Sequence, residues 1–208
     1  MYIIGDVHGC ARSLERLLEK IPDDRQLFST GDLIDRGPDS RKVVSLCVER
    51  GIRAVMGNHE HMLLDYIDGA PYYGSGTYLM NGGDRTLNAY EGGLSIRHME
   101  YLSALPLYIE TEHFFLSHAG IHFLRTVEDA CDFSLDMQHN ILWNRAALAD
   151  LGKPQVVGHN MKRNVSREMK DDRVISINID TGCCNPDFGV LSAISFPEGE
   201  VISVDCSD

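Results

Sequence analysis

Aspartate, asparagine and histidine side chains follow five short apolar runs in this 208-residue sequence. Most of them stand beside a glycine, which lets the backbone turn sharply and leaves room for a bound group. Side chains at the carboxyl ends of strands in open α/β sheets meet at the edge where ligands bind. We therefore expect one site from five segments, which read GDVHG (5–9), GDLIDRG (31–37), GNHE (57–60), SHAG (117–120) and GHN (158–160).

Six side chains of these segments could bind divalent cations. Carboxylate, carboxamide and imidazole groups suit such ions, and three carboxylate-bearing turns would repel one another without them. Six ligands exceed the need of one open catalytic site, so the set predicts two ions with Asp32 between them. Two ions about 3.5–4 Å apart stabilise the attacking and leaving oxygens of phosphoryl transfer. The predicted ligands are Asp6, His8, Asp32, Asn58, His118 and His159.

Hydrophobic periodicity predicts the elements that position these side chains. Apolar residues at 14, 17, 18 and 21 share one face of a helix that Pro22 ends. Asp39 is a candidate N-cap of a second helix, and further helices are predicted through 62–67 and over 95–105. The alternation of strands and helices predicts a parallel sheet in the first part of the chain. Strands are predicted over 2–5, 26–30, 53–56, 114–117, 155–157, 174–179, 190–196 and 201–204.

Spacing and composition predict the rest of the architecture. The last three strands are close in sequence, which predicts an antiparallel meander. Residues 69–93 hold seven glycines and four tyrosines with little periodicity, and we expect a long surface loop with at most one helical turn. The chain has no internal repeat or linker, so one domain over residues 1–208 is expected.

Charge and cysteine usage limit the partners and the compartment. Asp and Glu number 31 against 19 Lys and Arg, a formal net charge of −12, which argues against nucleic acid as a partner. No apolar run reaches the roughly 18 residues that a membrane span needs. Six cysteines without CxxC spacing are typical of reduced thiols, so we expect a cytoplasmic protein, with no obligate partner indicated. Cys10 and Cys183 directly follow site turns; packing is their expected role, and oxidation there would affect metal binding.

One segment departs from the acidic balance. Residues 162–173 contain five basic and three acidic side chains, just after His159. We interpret the segment as a solvated loop. The functional alternative is a lip on which Lys162 and Arg163 attract phosphorylated substrates.

The five segments, in this order, resemble the phosphoprotein phosphatase family of calcineurin-like metallophosphoesterases. The resemblance runs from residue 2 to about residue 195 and is greatest to the bacterial and phage branch, which includes lambda protein phosphatase. The segments NGG (81–83), LPL (105–107), LWNR (142–145) and IDTG (179–182) are also similar to that branch. The resemblance implies an α/β fold in which two packed mixed β-sheets are flanked by helices, an α/β/β/α sandwich.

The resemblance also implies a role for each site residue. Asp6 and His8 would bind the first metal, Asp32 would bridge, and Asn58, His118 and His159 would bind the second. His59 would be the general acid, oriented by Asp35, while Arg36 and Arg145 grip the phosphate and Asn58 also contacts substrate. Asn160 replaces the threonine that the family most often has after this histidine, and Asp180 is expected to be structural or to support a ligand.

These roles predict a metal-dependent serine/threonine phosphatase for phosphorylated proteins or peptides, with phosphotyrosine also possible as substrate. A hydroxide bridging two divalent ions, with Mn²⁺ favoured and Fe or Zn admitted, would attack phosphorus directly. The alternative is a dinucleoside polyphosphate hydrolase, which shares the GDVHGC start. Those enzymes are expected to lack the aspartate of the DRG segment and to have GNHD, so Asp35 and Glu60 favour phosphomonoesters. A binding module without activity is disfavoured because every predicted ligand is present.

Overall fold

The computed structural model describes residues 1–69, 72–91, 93–135 and 138–208. Within these residues ten strands form two five-stranded sheets, each with parallel and antiparallel pairs. The first sheet consists, in spatial order, of β10 (Val201–Asp205), β9 (Val190–Ser195), β1 (Tyr2–Ile4), β2 (Leu27–Ser29) and β3 (Arg53–Ala54). The second consists of β4 (Tyr108–Glu110), β5 (Phe115–Ser117), β6 (Gln155–Val157), β8 (Arg173–Asn178) and β7 (Ser166–Lys170).

Helices flank the two sheets, which confirms the expected α/β sandwich. The predicted N-cap of α2 is also present, because the Asp39 side chain accepts a hydrogen bond from the backbone N–H of Lys42 at 2.9 Å. No helix in the described part of the chain is long and apolar enough to cross a bilayer. The helices are α1 (Ala11–Leu18), α2 (Ser40–Arg50), α3 (Asn58–Ile67), α4 (Ser75–Tyr78), a π-helical turn (Leu79–Gly83), α5 (Asp84–Ala89), α6 (Ile96–Ser103) and α7 (Val127–Cys131).

Strand pairing confirms one prediction of topology and corrects another. Strands β1, β2 and β3 pair in parallel, as the alternation of strands and helices predicts. The predicted meander of the last three strands is wrong, because β8 pairs with β6 and β7 in the second sheet. Of the last three strands, only β9 and β10 pair with each other, and they do so antiparallel in the first sheet. The prediction failed because residues 180–189 cross from the second sheet to the first, although β8 and β9 are close in sequence.

Alternate residues of β1 and β2 serve two separate cores. Ile3 and Phe28 face the second sheet and pack in one cluster with Phe114. Ile4 and Leu27 point the other way and belong to the cluster that includes residues of α1 and α2. Successive side chains of a strand lie on opposite faces, so a short run that is apolar throughout fits a strand covered on both sides. The inter-sheet core therefore fixes the separation of the two sheets whose ends carry the candidate ligands.

The segment 69–93 is not the long loop that its composition predicts. Residues 75–89 form α4, the π-helical turn and α5, while 70, 71 and 92 lie outside the described residues. Tyr78 is buried, and a Cβ on Gly83 would lie 2.5 Å from the Tyr78 ring. A glycine is required there by close packing, not by a need for flexibility. Composition alone does not distinguish these two uses of glycine.

The basic segment 162–173 also differs from its predicted loop conformation. Residues 166–170 form β7, which pairs antiparallel with β8. Asp171 and Asp172 connect the two strands with φ values of 46° and 59°. Two successive residues with positive φ are typical of a tight hairpin turn, and aspartate tolerates this conformation better than most residues.

Glu60 on α3 binds the backbone of the turn that follows β2. Its Oε2 accepts hydrogen bonds from the N–H groups of Asp32 at 2.9 Å and Gly57 at 3.0 Å. Its Oε1 accepts from those of Leu33 at 2.8 Å and Ile34 at 3.3 Å. The Glu60 side chain is fully buried, so its carboxylate replaces water for four backbone donors. This contact connects the turns after β2 and β3.

We expect Glu60→Gln to lower the free energy of unfolding by at least about 2 kcal/mol, because an amide has one acceptor oxygen and turns its NH₂ towards buried donors. Urea unfolding of the two proteins measures the change. Glu49→Gln, on the exposed side of α2, is the matched control and should stay within about 0.5 kcal/mol of the wild type. Equal stability of Glu60→Gln and the wild type would contradict the assigned contact.

Candidate dinuclear metal site

The turns that carry the candidate ligands have unusual backbone conformations. His8, Asp32, Asp35, Arg36 and His159 have φ values of 46°, 48°, 70°, 66° and 61°. This left-handed region costs free energy for residues with a Cβ, and it persists only where the surroundings enforce it. The turns follow β1, β2 and β6, so five of the seven described non-glycine residues with positive φ lie at the strand ends that meet at the site.

His8 and Asp32 form the first part of the candidate site. The Nδ1–H of His8 donates to the carbonyl oxygen of Ile34 at 3.0 Å, which places the lone pair of the ring on Nε2. That Nε2 lies 3.6 Å from Oδ2 of Asp32. Asp6 is fixed beside them, since its carboxylate accepts from Thr30 Oγ1 at 2.7 Å and from the His159 N–H at 2.8 Å.

Asn58, His118 and His159 form the second part. Oδ1 of Asn58 lies 2.8 Å from Nε2 of His118 and 3.1 Å from Nδ1 of His159. Nε2 of His118 also lies 3.4 Å from Oδ2 of Asp32, which makes that carboxylate common to both parts. His118 is oriented like His8, because its Nδ1–H donates to the carbonyl oxygen of Thr30 at 2.8 Å. The structure thus brings all six predicted ligands to one edge.

The electrostatics of the donor set fit divalent cations. Burial raises the pKa of Asp6 and Asp32 well above the ordinary value, and neighbouring carboxylates add to the effect, Asp180 on Asp6 and Glu60 on Asp32. Burial lowers the pKa of His118 to about 4 and that of His159 below its usual range, so both imidazoles are neutral. Neutral imidazole is the form that binds metal, and a divalent cation would offset the repulsion that disfavours the ionised form of the two aspartates. Nε2 of His159 is buried and has no hydrogen-bond partner among the described residues. This nitrogen is therefore available as a metal ligand.

His59 and Asp35 form a buried pair beside these ligands. The Nδ1–H of His59 donates to Oδ2 of Asp35 at 2.6 Å, as the predicted orienting role requires. Oδ1 of Asp35 accepts from Tyr78 OH at 3.1 Å and from Thr86 Oγ1 at 2.5 Å. Burial raises the pKa of Asp35 to about 7, and burial together with Arg36 lowers that of His59. Tyr78 and Thr86 were missed in the sequence because both lie in the segment taken for a loop.

The two predicted phosphate-binding arginines border one cavity of 480 Å³. Arg36 donates from Nη1 to His8 Nε2 at 2.7 Å and from Nη2 to His59 Nε2 at 2.9 Å. Arg145 is exposed and donates to Oδ1 of Asn160 at 3.0 Å. Asn160, the departure from the family pattern, therefore positions an arginine at the cavity. A guanidinium matches phosphate oxygens with a planar fork of donors.

Asp180 and Lys162 also line this cavity. Asp180 accepts a hydrogen bond from the Gly182 N–H at 2.9 Å, is 5% exposed, and its charge raises the pKa of Asp6. The supporting role expected for the IDTG segment stays a prediction. Lys162 adds a cation at the border of the cavity, although it belongs to the connection before β7 and not to a long loop.

Comparison with known proteins identifies the family. The profile of the calcineurin-like phosphoesterases matches residues 1–183. The chain belongs to this family. A divalent metal requirement follows for this phosphoesterase, and the roles of the individual ligands remain predictions from the segments and their geometry.

Relatives of this phosphoesterase carry two kinds of description. A Bacillus velezensis protein, described as the asymmetrical bis(5'-nucleosyl)-tetraphosphatase PrpE, is 30% identical over 99% of this chain and 92% of its own. Serine/threonine-protein phosphatase 1 of Salmonella typhimurium is 45% identical, but the match covers 40% of this chain and 39% of that protein. A crystal structure of a candidate diadenosine tetraphosphatase has a TM-score of 0.69 at 25% identity, covering 98% of this chain and 91% of its own.

Chelation should destabilise the protein more as the pH rises. Because burial raises the pKa of Asp6 and Asp32, the metal-free folded protein binds more protons than the unfolded chain. The contribution of these groups to stability is therefore fully present below about pH 4 and is lost as the pH rises through the raised values. The difference in Tm between metal-loaded and EDTA-treated protein should widen from about pH 5 to about pH 8.

Differential scanning fluorimetry at several pH values measures this difference. The double variant Asp6→Asn/Asp32→Asn is the control, since without the two carboxylates its metal-free Tm should depend less on pH. Elemental analysis of the wild type should find about two divalent ions per chain. A constant Tm difference over the whole pH range would contradict the electrostatic account.

Proposed function

We propose that this phosphoesterase hydrolyses dinucleoside polyphosphates, with diadenosine tetraphosphate as the representative substrate. The observation that carries the proposal is the full-length similarity to a relative described as a bis(5'-nucleosyl)-tetraphosphatase. The relative described as a serine/threonine phosphatase matches over less than half of the chain. We therefore favour a dinucleoside polyphosphate hydrolase over the serine/threonine phosphatase first expected from the sequence. The similarity to the lambda phosphatase branch is set aside with that first expectation.

The surroundings of the metal turns support a substrate with several phosphates and a base. Arg36, Arg145 and Lys162 line the cavity at the site and offer three cations to a polyphosphate. Arg145 also lines a second cavity of 470 Å³ together with Trp143. An aromatic ring beside a phosphate-binding arginine suits a nucleobase, because bases stack on aromatic faces. A tyrosine or serine phosphate in a peptide needs no such cavity.

The residues of the site can perform hydrolysis in the following arrangement. Asp6, His8 and Asp32 would bind one divalent ion, and Asp32, Asn58, His118 and His159 would bind the second. When bound, the ions supply Lewis acidity to the phosphoryl oxygens and activate water. Arg36 and Arg145 bind the non-bridging oxygens and hold phosphorus in line for attack. Asn58 Oδ1 is engaged with two histidines, so its predicted contact with substrate is secondary to ligand binding.

His59 would donate a proton to the leaving oxygen from Nε2, while Asp35 fixes the opposite side of the ring. In this structure Arg36 donates to Nε2 and, with burial, lowers the pKa of His59. An anionic phosphate bound by Arg36 offsets that charge and raises the pKa of His59 in the substrate complex. Proton donation is thereby coupled to the presence of substrate.

The residues that first favoured phosphomonoesters do not separate the two substrates. Asp35 orients His59, which any reaction with a leaving oxygen can use. Glu60 accepts hydrogen bonds from four backbone N–H groups and its carboxylate is buried away from the cavity lining. It stabilises the turn after β2, and it does not line the cavity in which a substrate would bind.

A protein phosphatase is the second candidate, and the partial match to the Salmonella enzyme favours it. It would act on phosphorylated proteins or peptides, the partners expected from the sequence. For either function we propose Mn²⁺ as the native ion, since the oxygen and nitrogen donors accept it. We also propose a cytoplasmic location, which the six free cysteines support.

The substrate comparison is the main test of the proposal. With equal Mn²⁺, kcat/KM for diadenosine tetraphosphate should exceed that for a phosphoserine peptide at least about 10-fold, a difference of about 1.4 kcal/mol in transition-state binding. Chromatography should find ATP and AMP, the products of an asymmetrical cut that adds one water. A higher kcat/KM on the phosphopeptide would reject the proposal in favour of the second candidate.

Trp143→Leu tests whether the cavity beside Arg145 binds a nucleobase. It should raise KM for diadenosine tetraphosphate by about 5–100-fold, since stacking on an aromatic side chain contributes about 1–3 kcal/mol per base. KM for inorganic tripolyphosphate, which has no base, should stay within about 2-fold.

His59→Asn should affect two substrates unequally. Loss of a general acid costs about 10²–10⁴-fold where the leaving group is a poor one, such as the alkoxide of a phosphoserine peptide. A nucleotide phosphate leaves more readily, because its pKa is near 6, so the loss of kcat on diadenosine tetraphosphate should be under about 10-fold. Steady-state kinetics on both substrates, with two metals per chain retained, measures the ratio. Equal losses would overturn the role of His59 as an acid.

A further inference from the structure

Three cysteine side chains meet beside the metal turns, although they lie far apart in sequence. Cys10 follows the turn after β1, Cys183 precedes β9, and Cys206 follows β10. Their sulfur atoms all lie within 4.8 Å of one another, and those of Cys10 and Cys206 are 3.9 Å apart. Cys10 and Cys183 are buried, while Cys206 is half-buried at the surface. We refer to these three residues as the thiol cluster.

The spacing of the thiol cluster suits a bound metal ion. Zn–S bonds are about 2.3 Å long, so two sulfurs bound to one tetrahedral ion are about 3.8 Å apart. The sulfurs of Cys10 and Cys206 lie 3.9 Å apart, and all three sulfurs lie within 4.8 Å of one another. We infer that Cys10, Cys183 and Cys206 form a binding site for one thiophilic divalent ion of the zinc type, with water as its fourth ligand.

The surroundings of the thiol cluster favour a cation there. Cys206 borders an open cavity of 730 Å³ whose charged lining residues are three acids, Asp187, Asp205 and Asp208, against one base, Arg163. This acidic border gives a cation a path to the half-buried sulfur.

The thiol cluster differs in chemistry from the candidate catalytic site. None of the six predicted catalytic ligands is a thiol, and oxygen and nitrogen donors accept Mn²⁺ that thiolates bind poorly. Thiolate ligands therefore distinguish the cluster from the turns, whose oxygen and nitrogen donors also accept zinc. The inference does not depend on which phosphate ester or anhydride the protein cleaves.

An ion at the thiol cluster would join three separate segments of the chain. They are the turn after β1, the connection before β9 and the segment after β10. That last segment already contacts α1, since the Asp208 carboxylate accepts from the N–H groups of Arg12 and Ser13 at 2.9 Å each. Binding that requires the folded arrangement raises stability by mass action. We therefore expect the ion to stabilise the end of the chain against α1.

Cadmium is the probe, because thiolate-to-cadmium charge transfer absorbs in the ultraviolet and oxygen or nitrogen ligands give no such band. The full-length protein, loaded with Mn²⁺ and kept reduced, is titrated with Cd²⁺. The band should saturate at one ion per chain. Cys206→Ser should lose about a third of the band and bind Cd²⁺ more weakly by over about 100-fold, because outer-shell losses alone cost about 10–100-fold.

Cys131→Ser is the matched control, since Cys131 is also half-buried and lies outside the thiol cluster. Its titration should match the wild type. Zn²⁺ should raise the Tm of wild type and Cys131→Ser by the same amount, and that of Cys206→Ser by less. Mn²⁺-dependent activity and circular dichroism establish that each variant is folded.

Two results would overturn the inference. One is the lack of a charge-transfer band in wild-type protein whose six cysteines are all shown to be reduced by a thiol assay. The other is a band of equal intensity and midpoint in Cys206→Ser. If Cys206→Ser fails to fold, Cys183→Ser with the same readout takes its place, and an unchanged band there rejects the site equally.

Discussion

Buried negative charge where the two sheets meet is the constraint on which the rest of the structure depends. Asp6, Asp32 and Asp180 are each at most 5% exposed, and isolated carboxylates are costly to bury. Hydroxyl and backbone donors satisfy part of the requirement, as Thr30 Oγ1 does for Asp6. A guanidinium between two histidines adds positive charge, and divalent cations would supply the remainder. The left-handed turns persist because they direct these groups to one place.

Both sheets contribute ligands, so the relative position of the sheets decides the geometry of the site. His118 follows β5 of the second sheet, yet its ring is fixed by the carbonyl oxygen of Thr30 at the end of β2. Behind this hydrogen bond Phe28 and Phe114 pack edge to face with ring centroids 5.7 Å apart. Interiors are close-packed and transmit strain. The apolar core between the sheets thus determines the distance between Asp32 and the two histidines of the second part of the site, His118 and His159.

Much of the candidate site could be predicted because its residues follow strands in short, local segments. Glycine next to Asp6 or Asp32 marks a turn, and the order of strands brings the turns together. The support of Asp35 by Tyr78 and Thr86 could not be predicted, since it depends on residues 75–89 folding back over the site. Their glycines gave no periodic signal, and only packing shows that Gly83 makes room for a ring.

The substrate could not be predicted from the sequence either, and the reason is physical. The metal turns and the His59–Asp35 pair can serve any phosphoryl transfer, so their sequence carries no information about the rest of the substrate. The groups that could discriminate lie beyond them, where Arg145 is positioned by Asn160 and adjoins Trp143 in a cavity. The contact of Arg145 with Asn160 joins two separate segments, and Asn160 departs from the family pattern. Selection among phosphate esters and anhydrides therefore depends on tertiary contacts around the metal turns, while the turns supply the chemistry common to all of them.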